Sequence, residues 1–99
     1  MRLTEEERRI IRDTVAEVYG PTAVVRLFGS RVRDDLRGGD IDLHIEADPA
    51  EGMRSARSSA VWDLLQERLG EQKIDIVETV RGRDQAPIEK IAYRDGVAI

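Results

Sequence analysis

The residues best suited to chemistry in this 99-residue chain are three aspartates and a glycine-serine pair. Asp40 and Asp42 belong to the segment 40–46, which alternates between apolar and polar residues and therefore predicts a β-strand. Alternate strand residues point the same way with Cα atoms about 6.6 Å apart, so the two carboxylates project side by side. Asp75 adds a third carboxylate from another predicted strand, residues 73–78.

Carboxylates grouped in this way favour a divalent cation. Two unit charges about 6 Å apart repel by roughly 2–3 kcal/mol at an effective dielectric constant of 20. Mg²⁺ takes oxygen ligands, often one or two carboxylates plus water and substrate phosphate. A pair of ions about 3.5–4 Å apart would clamp the attacking and leaving oxygens of an in-line displacement. The three aspartates therefore indicate phosphoryl or nucleotidyl transfer.

A simpler interpretation is that Asp40 and Asp42 form the solvated face of an edge strand, which is the usual role of alternating polar residues. A calcium-binding EF-hand loop fits less well, because Ile41 and Leu43 demand a strand.

Gly29 and Ser30 follow a predicted strand, residues 22–28, at the point where it ends. A glycine there lets the backbone approach a ligand, while the serine hydroxyl and the following amides suit a phosphate. Arg31 would add a charge-assisted contact to a triphosphate. As alternatives, Gly-Ser is a common turn pair, and Arg31 is an ordinary solvated arginine. Neither a P-loop nor a dinucleotide-binding glycine motif is present in the sequence.

The remaining pattern predicts an α+β (α/β) fold in which helices flank a small mixed sheet. The helices are expected at residues 4–19, at about 53–69 and from Pro87 onward, with a short helix or turn after Ser30 and an edge strand at 97–99. The active site is expected on one sheet face. We expect His44 to be partly exposed, Trp62 to pack between helix and sheet, and Arg81 to be solvated.

Three segments together resemble the DNA-polymerase-beta-like nucleotidyltransferase superfamily: Phe28 to Arg31 after one strand, Asp40 to Leu43 on the next, and Lys73 to Val77 on a third. The chain most resembles the smallest members, the minimal nucleotidyltransferases that are paired with HEPN-domain ribonucleases as antitoxin and toxin. The resemblance covers nearly the whole chain. Two departures are Gly39, where many relatives carry serine, and His44, where small apolar residues are more usual.

The resemblance implies a role for each motif residue. Asp40 and Asp42 would bind two Mg²⁺ ions, and Asp75 would bind one of them and help activate the attacking hydroxyl. Gly29 and Ser30 would hold the triphosphate, assisted by Arg31. The reaction would transfer a nucleoside monophosphate, AMP from ATP, to a hydroxyl, which in the paired systems is that of a tyrosine on the HEPN toxin. The two proteins would then form a hetero-oligomer.

Composition limits the other possibilities. A chain of 99 residues with 40% hydrophobic residues suits a single domain, residues 1–99, and the acceptor would have to come from elsewhere. A net charge of −4 argues against general nucleic-acid binding, and the lack of cysteine excludes thiolate chemistry. No signal peptide or membrane segment is evident, so a cytoplasmic protein is expected. Alternatives are an antitoxin that acts by binding alone and a transferase for a small molecule such as an antibiotic.

Overall fold

One mixed sheet carries the motif residues. The computed structural model describes residues 3–29, 40–50 and 55–99. Within them the order is α1 (Glu5–Tyr19), β1 (Val24–Phe28), β2 (Ile41–Ala47), α2 (Ser55–Leu69), β3 (Ile74–Val80), α3 (Pro87–Asp95) and β4 (Val97–Ala98). The sheet order is β3-β2-β1-β4; β1 is antiparallel to β2 and β4, and β2 is parallel to β3. The predicted α+β fold is confirmed, while the helix or turn expected after Ser30 lies outside the described residues.

Local sequence signals set the helix ends. At the start of α1, the Thr4 hydroxyl accepts a hydrogen bond from the Glu7 amide at 3.0 Å, and the Thr4 amide donates to the Glu7 carboxylate at 2.9 Å. This capping box satisfies amides that have no partner inside the helix. Gly70 follows α2 with a φ of 84°, a left-handed conformation that favours glycine. None of the helices in the described ranges has the length and apolar character needed to span a bilayer.

The apolar face of the sheet packs on α1 and α2. The inward positions of β2 are apolar and completely buried, as the strict alternation of its sequence predicts. They meet the apolar stripes of the two helices, and the central members of this core are Ile11, Val15, Leu27, Ile41, Leu43, Ile45, Val61 and Leu65. Burial of this apolar surface is what holds β2 in register, because a shift by one residue would bring its polar residues into the core.

The opposite face of the sheet is polar and is covered in part by α3. His44 is completely buried there, so the expectation of a partly exposed histidine is wrong. Its Nε2 lies 2.8 Å from the Thr79 hydroxyl, which donates to the Glu89 carboxylate at 2.7 Å. Because the single hydroxyl proton of Thr79 goes to Glu89, Nε2 of His44 is the donor in the first contact. The ring of Tyr93 packs edge-on against His44 with centroids 4.6 Å apart, which completes the cover.

Arg81 is part of a charged network and not a free surface arginine. Its guanidinium contacts the carboxylates of Glu46 and Asp48, each at 2.8 Å, and donates to the Thr22 carbonyl at 2.9 Å. Burial by itself raises the pKa of Glu46, but hydrogen bonds from Arg81 and Arg26 outweigh it, so the pKa is lowered. The sequence-based expectation failed because Glu46 and Arg81 come together only when β2 and β3 pair.

Trp62 also departs from expectation, since 42% of the residue's surface remains exposed. Its indole nitrogen donates to the Ile74 carbonyl at 3.0 Å, so it is fixed against the start of β3 and is not part of the core. The helical spacing was correct for its neighbours Val61 and Leu65, both completely buried. Trp62 lies at the border of that apolar stripe, where periodicity does not distinguish core from rim.

We expect His44→Gln to alter how stability depends on pH. Burial, followed by the charge of Arg26, lowers the pKa of His44 below its ordinary 6.5. As the pH falls below 6.5, His44 binds a proton more readily in the unfolded chain than in the folded chain. The free energy of unfolding therefore decreases progressively below that pH. Urea unfolding in EDTA should show wild type losing up to about 1.4 kcal/mol more than His44→Gln between pH 7.5 and 5.5. Parallel pH profiles for the two proteins would contradict this.

Candidate active site

The parallel pairing of β2 and β3 brings two of the predicted carboxylates together. Asp42 pairs with Asp75 in the register, one position after the pair Ile41 and Ile74. Paired residues of neighbouring strands point to the same face, and the strands lie about 4.8 Å apart. Asp42 is partly buried and Asp75 is exposed, so the pair opens to solvent at the end of the sheet. Asp40, two residues before Asp42, lies at the same end.

Gly29 lies directly against the Asp42 carboxylate. It follows Phe28, which pairs with Asp42 across the antiparallel strands, and has a φ of 76°. A Cβ at position 29 would overlap the Asp42 carboxylate oxygen, so only glycine allows the backbone and the carboxylate to come this close. Gly29 at the end of β1 and the acidic pair on β2 and β3 therefore form one site.

Burial and the neighbouring carboxylates both disfavour the negative charge of Asp42. Its pKa is raised first by burial, then by the negative charges of Asp75 and Asp40, and lowered to a smaller extent by Lys73. The charged form of Asp42 is thus disfavoured where it stands. A bound cation would relieve both causes at once, because it replaces lost solvation and offsets the neighbouring charges.

Lys73 is a residue of the site that the sequence analysis did not single out. Its ammonium lies 3.5 Å from the Asp40 carboxylate, although both side chains are largely exposed and the pair contributes little stability. The position follows from the Ile41 amide, which donates to the Lys73 carbonyl at 2.9 Å and aligns Lys73 beside Asp40. The strand alternation that placed Asp75 on the site face also places Lys73 there, which is the signal that could have identified it.

The ligand atoms of the site side chains are of the kind that binds a hard divalent cation. Their present positions suit such an ion less well. In the described ranges, no three acidic or histidine side chains are gathered closely enough to hold a metal ion. Asp42 and Asp75 nevertheless supply oxygen ligands at paired positions, which is as much as Mg²⁺ requires when water and phosphate fill the other places. These two carboxylates are the residues that could hold such an ion, with Asp40 beside them.

The structure brings together four of the predicted site residues: Gly29, Asp40, Asp42 and Asp75. Ser30 and Arg31, predicted to contact the triphosphate, lie outside the described residues.

A mixed four-stranded sheet with helices α1 and α2 on one face and paired aspartates on the other is the architecture of polymerase-beta-like nucleotidyltransferases. Residues 8–97 match the family model of the nucleotidyltransferase domain, so the chain belongs to this family. It is therefore a nucleotidyl-transfer domain with a nucleoside triphosphate as substrate. The search of curated proteins finds no match.

We expect Gly29→Ala to damage the site, while Gly70→Ala serves as a matched control. Both glycines have a positive φ, so each alanine should cost about 1–2 kcal/mol of unfolding free energy. A Cβ meets nothing within 4 Å at Gly70, but it displaces the Asp42 carboxylate at Gly29. Binding of a fluorescent ATP analogue with Mg²⁺ should weaken by about tenfold or more in Gly29→Ala alone. Equal binding by the two variants would show that the contact with Asp42 is unimportant.

Asp42→Asn should stabilise the protein in the absence of metal. Because the pKa of Asp42 is raised in the folded state, its negative charge is unfavourable at neutral pH, and the neutral amide removes that penalty. Urea unfolding at pH 7 in EDTA should give a free energy about 0.5–1 kcal/mol higher than wild type, and the difference should shrink as the pH falls towards 3.8. Asp63→Asn, on the exposed side of α2, is the control and should change little. A less stable Asp42→Asn protein would refute the role assigned to charge repulsion.

Proposed function

We propose that this chain transfers AMP from ATP to a hydroxyl on a partner protein, and that it is the antitoxin which modifies and neutralises a HEPN-domain ribonuclease. The observation that best supports nucleotidyl transfer is the pairing of Asp42 with Asp75 beside Gly29. The protein acceptor is supported by the likeness of the three motifs to minimal nucleotidyltransferases. The net charge of −4 is a further support, because it disfavours a polynucleotide acceptor.

The reaction uses each site residue in a distinct way. The triphosphate would lie beside Gly29, with Ser30 and Arg31 as its expected further contacts and its α-phosphate near Asp42. Asp40, Asp42 and Asp75 would hold the Mg²⁺ ions, which would supply positive charge to offset the charge that develops on the phosphate oxygens. The acceptor oxygen bonds to the α-phosphorus, the bond to the bridging oxygen of the β-phosphate breaks, and pyrophosphate leaves. The hydroxyl proton passes to Asp75, which is exposed on the side away from Gly29.

The test separates AMP transfer from other uses of ATP. The purified chain is incubated with Mg²⁺, the HEPN-domain protein encoded beside it, and ATP labelled either at the α-phosphate or at the γ-phosphate. Only the α-label should become attached to the HEPN protein, because the γ-label leaves as pyrophosphate. Parallel reactions with GTP, CTP and UTP establish the base preference. Absence of α-label on the partner would refute the proposal.

Asp42→Ala should lower the transfer rate by at least about a thousandfold, since it removes a residue that acts on the charge of the transition state. Asp63→Ala, another aspartate but exposed on α2, should leave the rate unchanged. Survival of cells that express the toxin separates catalysis from simple complexation. If the double variant Asp40→Ala with Asp42→Ala protects them as well as wild type does, neutralisation proceeds by binding alone.

A further inference from the structure

Exposed large apolar side chains are concentrated near the strand that carries Asp75. Among the described residues, four such side chains remain substantially exposed: Trp62, Ile88, Ile91 and Val97. Val97 lies on β4, at the opposite edge of the sheet. We call the other three, Trp62, Ile88 and Ile91, the acceptor-side surface, for reasons that follow from their positions.

Trp62 covers the outer edge of β3 next to Asp75. The Lys73 carbonyl points towards β2, since it accepts a hydrogen bond from the Ile41 amide. Backbone carbonyls alternate along a strand, so the Ile74 carbonyl points away from β2. That outward carbonyl is the one that the Trp62 indole contacts at 3.0 Å. The exposed indole therefore lies at the sheet edge, beside the residue that precedes Asp75.

Ile88 and Ile91 form an exposed apolar pair on α3. The helix crosses the strands: Glu89 reaches Thr79 on β3, and Tyr93 packs on β2 and β1. The Arg26 guanidinium lies over the Tyr93 ring and pairs with Glu46, so this flank of the helix faces the end of β2 remote from Asp42. At about 100° per residue, Ile88 falls on the opposite flank, towards the end of the sheet that holds Asp42 and Asp75, and Ile91 lies beside it on the outer side of the helix.

The direction of the reaction gives this surface a role. Gly29 at the end of β1 and Asp75 on β3 lie on opposite sides of Asp42. With the leaving pyrophosphate on the side of Gly29, an in-line displacement requires the attacking hydroxyl on the side of β3. We propose that Trp62, Ile88 and Ile91 dock the acceptor protein through an apolar segment with basic flanks, which brings its hydroxyl to Asp75. This inference rests on the proposed function.

A polypeptide fits this surface better than a nucleobase or a sugar does. Trp62 is on the α2 side of the sheet and the isoleucines are on the α3 side, so a single ring cannot contact both. An aromatic residue together with aliphatic residues is typical of the buried centre of a protein interface. The net charge of −4 and the exposed Asp75 favour basic residues at the rim of the partner segment.

A binding measurement tests the surface independently of catalysis. The probe is a fluorescein-labelled nonapeptide with a central tyrosine, two leucines on each side and two lysines at each end. Anisotropy is measured with Mg²⁺ and α,β-methylene-ATP, which cannot be cleaved at the α-phosphate. Wild type should bind, and Ile88→Ser with Ile91→Ser should bind about a hundredfold more weakly. Trp62→Gln should bind about tenfold more weakly.

Val97→Ser is the matched control, because it removes an equally exposed apolar side chain from the far edge of the sheet; its affinity should stay within about twofold of wild type. Circular dichroism melting establishes that each variant is folded, and since Ile88 and Ile91 are exposed, their double variant should melt close to wild type.

Three results would overturn the proposed surface: no peptide binding by wild type, unchanged binding by the double isoleucine variant, or a loss of nucleotide affinity in that variant, which would make this surface part of the nucleotide site. A different result separates the surface from the reaction. If wild type binds the peptide through these residues but never transfers α-label to it or to the HEPN protein, the surface stands and the proposed function fails.

Discussion

The parallel pairing of β2 with β3 is the constraint on which the rest of this protein depends. It sets Asp42 opposite Asp75 and places Glu46 within reach of Arg81, so it establishes both the acidic site and the charged network at the other end of the strands. Charge does not drive this pairing, because two neighbouring carboxylates repel. The buried apolar face of β2 fixes the register instead, and its hydrophobic stabilisation outweighs the repulsion that the site requires.

The two ends of the polar face of the sheet differ in how their side chains are packed and partnered. Towards the far end, Thr79 contacts both the His44 ring and the Glu89 carboxylate, and Tyr93 packs on His44, so that His44 and Thr79 are buried beneath α3. At the near end, Asp42 and Asp75 have no such contact with another residue of the described ranges, and burial together with neighbouring charge raises the pKa of Asp42. The contrast is characteristic of a fold that is stabilised in one region and held ready for a charged ligand in another.

The exposed apolar side chains are also distributed unevenly around the site. Trp62, Ile88 and Ile91 remain exposed on the β3 side, although the chain has enough apolar residues to form its core without them. Gly29 provides close backbone approach on the β1 side. The site thus has close backbone approach on the β1 side and exposed apolar side chains on the β3 side, which under the proposed function are the nucleotide side and the acceptor side.

The sequence by itself determined the elements of the fold and predicted the residues of the site. Alternation and capping located every helix and strand within the described residues to within a residue or two, and the spacing of Asp40 and Asp42 fixed their common face. Only the tertiary structure decided which residues meet. The burial of His44, the Glu46 and Arg81 pair, the exposure of Trp62 and the place of Lys73 beside Asp40 all arise from strand pairing or helix crossing, which join residues far apart in the chain. Periodicity reports only the face to which a residue belongs, and it carries no information about what covers that face.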